Sequence, residues 1–426
     1  MLCLPRYVSA HLRAGVASAC LLLLCVPAAG RAERPVTLDE AIRLAITRAP
    51  MLDARRAQVE SADQEFRRAG ALPDPELSVG IDNWPVAGED AFDFRADEMT
   101  MKRIGLRQAI PARAKRDAAR TLAARTVDEA TAQVQAEQLS IRRAVAEAWL
   151  DVWAAQRELH VLNALRDDAM LAASLAKTRV AGGAETVTDA LATEAMVIEV
   201  EIKIEAARAT QTAAQLGLAR WIGDDMRAAT SEFPDLATLP VSEPRLLAAI
   251  DRLGPLLPTN AQLETTAAEV DAARAEKRPD WSVGASYGQR DGGRSDMIML
   301  EISIGLPLFG RNRHDRGVAA READYQAVLA TREDLRRQQI ASIGVGVARW
   351  AGLKRQVALH ESALLPLARD RSATALAGYR AGGELQPWLD ARRDELDVHL
   401  FHAQHLGELG RAWAALAYLL PMEAQP

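Results

Sequence analysis

Large apolar residues alternate with smaller or more polar ones in three short segments of this chain. In residues 76–82, 281–288 and 297–306 the apolar side chains fall on every second position. A period of two is typical of a β-strand whose two faces differ. Such a strand fits either a half-exposed sheet of a soluble protein or a membrane barrel with lipid outside and water within.

Long stretches with a helical composition follow the strands. No proline interrupts residues 112–233, which are rich in the strong helix formers Ala, Leu, Glu, Arg and Gln. We expect a helix from about 113 to 181, on the order of 100 Å long, and a returning helix to about 222. A second hairpin is predicted from about 316 to 420, with a kink at Pro366.

The chain repeats itself about two hundred residues later. The sequence PELSVG at residues 75–80 returns as PDWSVG at 279–284, and Ala-Gly-Gly at 181–183 returns at 381–383. Such a repeat indicates two copies of one structural unit. Each copy supplies one strand pair, which is too little for a stable sheet, so we expect further copies of the chain as partners. The predicted parts are a first repeat over 33–232, a linker over 233–258 and a second repeat over 259–426.

The first residues have the layout of a secretory signal peptide. Arg6 and Arg13 precede an apolar run from about 16 to 26, and small residues follow it. We therefore expect residues 1–32 to be removed on export. All three cysteines lie within this leader, so the mature chain is expected to have no disulfide and no thiolate metal site.

Charge and motif content exclude several classes of function. The formal net charge of −6 argues against a nucleic-acid partner, which needs a basic face. Beyond the leader no segment is apolar for long enough to span a bilayer as a helix, so a membrane form would need a closed barrel of strands. There is no P-loop, nucleophile elbow, zinc-protease helix or dinucleotide fingerprint. We predict a protein that is not an enzyme and has no cofactor.

The order of these motifs, given twice, resembles the TolC family of outer-membrane efflux channels. The resemblance covers nearly all of the mature chain. The segments similar to the family are Thr37–Ala41 at its opening, Pro279–Trp281 and Leu306–Phe309 at the borders of its second strand pair, Val180–Gly183 with Thr188–Ala190 at its first helical tip, and Tyr379–Gly382 with Leu389–Ala391 at its second.

The resemblance implies a mainly α fold with a small β part, in which two tandem repeats each consist of a β-strand pair and a long helical hairpin. It implies a homotrimer whose twelve strands form a β-barrel in the outer membrane of a Gram-negative cell, surrounded by outer-membrane lipid. An α-helical barrel continues from it into the periplasm. The implied partners are a periplasmic adaptor, also called a membrane fusion protein, and an inner-membrane pump of the RND type.

Residues 97–103, with the sequence DEMTMKR, are similar to a stretch in the heavy-metal branch of that family. This similarity favours a passive exit duct for heavy-metal cations, either copper and silver or cobalt, zinc and cadmium. Two alternatives stay open. The same duct could export drugs or organic solutes or serve type I secretion, or the chain could be a periplasmic adaptor or coiled-coil scaffold.

Methionines stand in pairs where the second strand of each copy is expected to begin. The pairs are Met99 with Met101 and Met297 with Met299, each spaced to share one strand face. Thioether sulfur is a soft ligand suited to Cu(I) or Ag(I). The alternative is that these side chains fill space near the rim of the barrel.

Histidines recur at every third position on the second returning helix. Residues His399 and His402, followed by His405, are spaced so that neighbours share a helix face. Two of them could make transient contacts with a divalent ion, which suits a channel better than tight binding. The alternative is that they are solvated or lie between helices.

Acidic residues follow both glycine turns. They are Asp189 after the first turn, and Asp390 and Asp394 after the second. Acids in a first helical turn ordinarily complement the helix dipole, but three-fold symmetry would turn a lumen-facing acid into a charged ring that selects cations. In the family a gate aspartate matches Asp390. The turns themselves are expected to contact the adaptor, unless they are plain helix ends, through Gly182, Gly183, Gly382 and Gly383.

Overall fold

The computed structural model of the chain describes residues 35–223, 228–229 and 234–421. The signal peptide predicted for residues 1–32 lies outside the described residues, together with the three cysteines. Residues 224–227 and 230–233, before and at the start of the predicted linker, also lie outside the described residues.

The first half of the chain forms two short helices, two long strands and one long helical hairpin. Its elements are β1 (Pro35–Val36), α1 (Leu38–Arg48), α2 (Pro50–Arg68), β2 (Glu76–Asp82), β3 (Met101–Ile110), α3 (Arg113–Ala181) and α4 (Val187–Ile222). The bounds of α3 and the end of α4 are those predicted from proline and glycine positions. Thr186 begins α4 through a capping box with Asp189, which satisfies backbone N–H groups that a helix start leaves free.

The second half repeats this order after the junction. The short strand β4 (Ala228–Ala229), which pairs with β1, still belongs to the first repeat. The elements that follow it are α5 (Glu243–Ala248), 3₁₀ turns at Ile250–Arg252 and Gly254–Leu256, α6 (Leu257–Ala275), β5 (Trp281–Arg290), β6 (Met297–Ile304), α7 (His314–Leu359), a π-helical turn (His360–Leu364), α8 (Leu365–Arg380) and α9 (Gln386–Ala417). The predicted linker 233–258 thus contains α5 and both 3₁₀ turns. The predicted fold class, mainly α with a strand pair and a hairpin in each half, is confirmed.

The four long strands form one antiparallel sheet in the order β2, β3, β5, β6. Residues paired across such strands point to the same face. The register therefore gives one face made of the predicted apolar residues and one face of small, polar and methionine residues. Large side chains on the apolar face are exposed in the single chain, as at Leu300, Ile298 and Val79.

The main core lies where the two halves meet, between the sheet and the hairpin tips. It joins α1, α3, α4, α7 and α9 around the fully buried Trp149. The indole N–H of Trp149 donates to the carbonyl of Val36 at 2.7 Å, and that of Trp413 donates to Thr238 at 2.8 Å. A buried indole stabilises a core when its N–H finds such a partner. These contacts hold β1 and the junction segment against the helices.

Pro366 interrupts the outgoing helix of the second hairpin, as predicted. The N–H of Leu365 bonds to the carbonyl of His360, an i to i+5 spacing that makes a π-helical turn directly before the proline. Proline has no N–H and cannot close the next helical hydrogen bond, so the chain takes a wider turn there.

None of the helices in the described ranges combines the length and apolar composition needed to cross a membrane.

Candidate functional site

The polar face of the sheet carries charged residues in rows that run across the strands. Glu76, Arg107, Gly284 and Glu301 are aligned by the register in one such row. The Arg107 guanidinium donates to the hydroxyl of Ser282 at 3.1 and 3.2 Å. Glu301 accepts a hydrogen bond from the Ser303 hydroxyl. Glu76, Arg107 and Glu301 are all exposed to solvent.

The methionines do not form two equivalent pairs. Met297 and Met299 lie on the polar face of β6 and are partly exposed. Met101 is buried, and its sulfur lies against the backbone of Gly288, in the space that a side chain there would occupy. Met99 precedes β3 in the loop and is exposed. The expectation that Met99 stands in the strand is wrong, because the ladder of β3 with β2 and β5 begins at Met101.

The three histidines of α9 face different neighbours. His399 lies 3.8 Å from Glu395, whereas His402 is only 7% exposed and lies 3.8 Å from Glu361. Within the described ranges, no three or more His, Cys, Asp and Glu side chains are arranged to hold a metal ion. A shared site of His399 and His402 stays a prediction.

A histidine that the sequence reasoning missed stands beside them. His360, in the π-helical turn, has its ring centroid 6.0 Å from that of His402 and 5.1 Å from that of His405. Burial, with the neighbouring histidines and Arg157 adding to it, lowers the pKa of His402 to about 4, so its imidazole is neutral at pH 7. Burial likewise lowers the pKa of His360. The only sequence signal for this meeting was the break expected at Pro366.

The three candidate gate acids have different partners. Asp189 is engaged in the capping box, where its carboxylate accepts from the Thr186 hydroxyl at 2.6 Å. Asp394 pairs with Arg371 of α8. Asp390 is exposed and accepts a hydrogen bond from Gln386 at 2.8 Å. Asp390 is thus the one of the three that is neither used as a cap nor paired with a cation.

The glycine turns end their helices by a left-handed residue. Gly183 has φ +71° in the first turn and Gly382 has φ +97° in the second. Glycine adopts this conformation without the penalty of a Cβ. Gly182 has an ordinary negative φ, and a side chain at Gly383 would collide with the carbonyl of Gly378. All four glycines are exposed and lie in the turns at the tips of the hairpins.

The two tips are joined by a contact that the sequence reasoning did not find. Arg179 of α3 lies 2.7 Å from Glu185 and 4.4 Å above the ring of Tyr379. The Tyr379 hydroxyl contacts Glu185 at 3.2 Å, and its ring stacks on Trp388 with centroids 5.7 Å apart. Burial, with the charge of Glu185, raises the pKa of Tyr379. The first and second hairpins are therefore held together at their ends within one chain.

Comparisons with known proteins extend over both halves. The family model described as outer membrane efflux protein matches residues 41–224 and 254–420. The cobalt-zinc-cadmium resistance protein CzcC of Cupriavidus metallidurans is 29% identical over 392 residues, which are 89% of this chain and 88% of that protein.

Solved structures show the same fold at low identity. A membrane protein from Pseudomonas aeruginosa superimposes with a TM-score of 0.78 at 17% identity, over 91% of each chain. The outer membrane protein VceC from Vibrio cholerae gives a TM-score of 0.72 at 18% identity, over 90% of this chain and 96% of that one.

Proposed function

This chain belongs to the outer membrane efflux protein family, and from that premise we propose that it is the exit duct through which a tripartite system exports heavy-metal cations. It is an outer-membrane efflux channel. The observation that supports the proposal is the family match over both repeats, together with a relative named for cobalt, zinc and cadmium resistance that aligns along nearly the whole chain. The same family membership argues against a periplasmic adaptor or scaffold.

The open sheet edges and the exposed apolar face of the single chain support a homotrimer. The sheet ends in two open edges, β2 and β6, and its apolar face is bare. Unpaired edge strands and solvent-exposed apolar faces are unfavourable in a soluble monomer. Three copies would pair β6 of one chain with β2 of the next and turn the polar rows of the sheet toward a common lumen. In this assembly each repeat, 33–232 or 259–426, supplies one strand pair and one hairpin.

Transport through such a duct needs no chemistry of its own. We assign the chain no catalytic activity and no cofactor. Energy would come from an inner-membrane pump of the RND type through a periplasmic adaptor. The exposed glycine turns at Gly182, Gly183, Gly382 and Gly383 are the proposed contact with that adaptor, because small residues at hairpin ends allow close end-to-end packing.

The cargo contacts proposed here are weak. Exposed Met297 and Met299 on the polar face, with exposed Met99 in the loop before β3, offer soft thioethers to a passing ion. Met101 is buried against Gly288, and a contact of its sulfur with the ion stays a prediction. His399, which is partly exposed on α9, offers an imidazole to the ion, whereas His402 is buried and its contact with the ion stays a prediction. Weak contacts suit conduction because an ion has to leave each of them.

Deletion of the gene tests the cargo directly. The deleted strain and the strain complemented with the wild-type gene are grown on cobalt, zinc, cadmium, copper, silver and a set of drugs. We expect the deletion to lower the tolerated concentration of cobalt, zinc and cadmium several-fold, and complementation to restore it. Normal growth on every metal combined with drug sensitivity would contradict the metal cargo and support the alternative of drugs or organic solutes.

A further inference from the structure

A turn of large apolar side chains is exposed where the sheet ends and the helices begin. Leu306, Leu308 and Phe309 follow β6 directly and are 70%, 77% and 79% exposed. Apolar patches of this kind on a protein surface mark contact with another protein or with a membrane. This turn is therefore expected to contact another protein or a membrane.

The apolar turn continues the apolar face of the sheet. Ile302 and Ile304 precede it on β6, and Trp281 lies opposite Ile304 in the register. In an outer-membrane channel this face meets lipid, so the turn lies where the lipid ends and the periplasm begins. Large apolar and aromatic side chains are typical of that boundary in membrane barrels. Lipid is the occupant that this continuity supports.

Three arginines stand beside the apolar turn. Arg311 and Arg313 lie within the turn itself, and Arg278 lies two residues before Asp280, whose carbonyl receives the N–H of Gly305 at 2.9 Å. All three are exposed. Among the ion pairs of the described residues none involves them. Nearby Asp315 is paired with Lys277 at 2.6 Å, which lowers the pKa of Asp315, and the charge of Arg311 adds to this effect.

The turn is fixed to the rest of the molecule. The Asp280 carboxylate accepts the backbone N–H of Ala112 at 2.9 Å and the ammonium of Lys115 at 2.8 Å, while the N–H of Arg313 bonds to the carbonyl of Phe309. Burial works against the charge of Asp280, but these two donors outweigh it and lower its pKa. The apolar side chains and the arginines are thus kept side by side at one level.

We propose that this turn and its arginines bind anionic phospholipid at the periplasmic surface of the outer membrane. Leu306, Leu308 and Phe309 lie among the acyl chains, and Arg278, Arg311 and Arg313 bind the lipid phosphates. The planar guanidinium group matches phosphate through paired hydrogen bonds. Basic residues that flank an apolar membrane segment are favoured near anionic headgroups. The inference rests on the outer-membrane location, and it is independent of the cargo.

Lipid retention by the purified full-length protein tests the proposal. Protein in detergent is mixed with phosphatidylglycerol or with phosphatidylcholine, and bound lipid is counted by native mass spectrometry. We expect preferential retention of phosphatidylglycerol, and a loss on the order of fivefold for each arginine removed by Arg278→Gln, Arg311→Gln and Arg313→Gln. The matched control is Arg349→Gln with Arg355→Gln, two exposed arginines farther along α7, which should leave retention unchanged.

Two further variants separate charge from apolar contact. Lysine at the three arginine positions should keep part of the preference, because the charge remains while the paired geometry is lost. Leu308→Ser with Phe309→Ser should lower the retention of both lipids. Equal retention of the two lipids by the wild type, or no loss in the glutamine variant, would overturn the proposal. Metal tolerance of the same strains is scored separately, so a wrong cargo would leave the lipid result standing.

Discussion

The two hairpins occupy equivalent places in the two repeats, but their outgoing helices differ. In the first, α3 runs for 69 residues without a break. In the second, the same course is divided by the π-helical turn His360–Leu364 ahead of Pro366. One outgoing helix is continuous and the other has a defined place to bend.

The two hairpins also differ in the acidic residue at each tip. The continuous hairpin carries a capped tip in which Asp189 is already engaged. The interrupted hairpin carries the exposed Asp390. Arg179 and Glu185 of the first tip contact Tyr379 of the second, and Trp388 supports the ring of Tyr379 from behind. We therefore expect bending at the π-helical turn to disturb this contact between the tips first.

The contact between the tips gives the largest expected effect. Trp388→Ala removes a buried ring and its stacking on Tyr379, which should cost about 3–5 kcal/mol of stability. The second hairpin should loosen while α3 remains intact. Hydrogen exchange should therefore rise in α8 and in the first turns of α9 more than in α3.

Phe401→Ala is the matched control, because this aromatic residue of α9 is 55% exposed. It should change exchange little. A uniform rise of exchange along both hairpins in Trp388→Ala would contradict the expectation that this ring stabilises the second hairpin more than the first.

The interruption itself gives a smaller effect. Pro366→Ala supplies one backbone N–H to the outgoing helix. The additional hydrogen bond should raise the free energy of unfolding by on the order of 1 kcal/mol. We expect slower exchange around residues 360–370. Pro387→Ala is the control, since this proline lies in the first turn of α9, where a missing N–H costs little. If both variants gained stability equally, Pro366 would not be the cause of the interruption in the second outgoing helix.

Local residue chemistry made most of the fold predictable. Proline-free composition predicted α3, Gly183 and Gly382 predicted the turns, and the period of two predicted both faces of the sheet. These signals are local because caps, turns and alternation depend on neighbouring residues.

The site was less predictable because its contacts join distant parts of the chain. Arg179 meets Tyr379 two hundred residues away, and His360 meets His402 across two helices. For Asp189 the alternative to a gate was an ordinary acid in a first helical turn, and the structure engages it locally in the capping box with Thr186. Met99 was misplaced because the start of a strand depends on its pairing partners, which one segment does not reveal.

Substitution of the acids at the two tips should have the smallest effect on stability, and it tests directly whether the two hairpins differ at the gate. Asp390→Asn removes a charge without changing size, so stability should stay the same while the ring of three carboxylates that we predict for a trimer would be lost. We expect a fall in cation selectivity, measured as a shift of the reversal potential across a planar bilayer under a salt gradient. Asp189→Ala is the counterpart. It should cost about 1 kcal/mol through the lost cap and leave the reversal potential unchanged. Equal shifts from both variants would mean that both tips line the constriction, and the difference between the hairpins would then not extend to the gate.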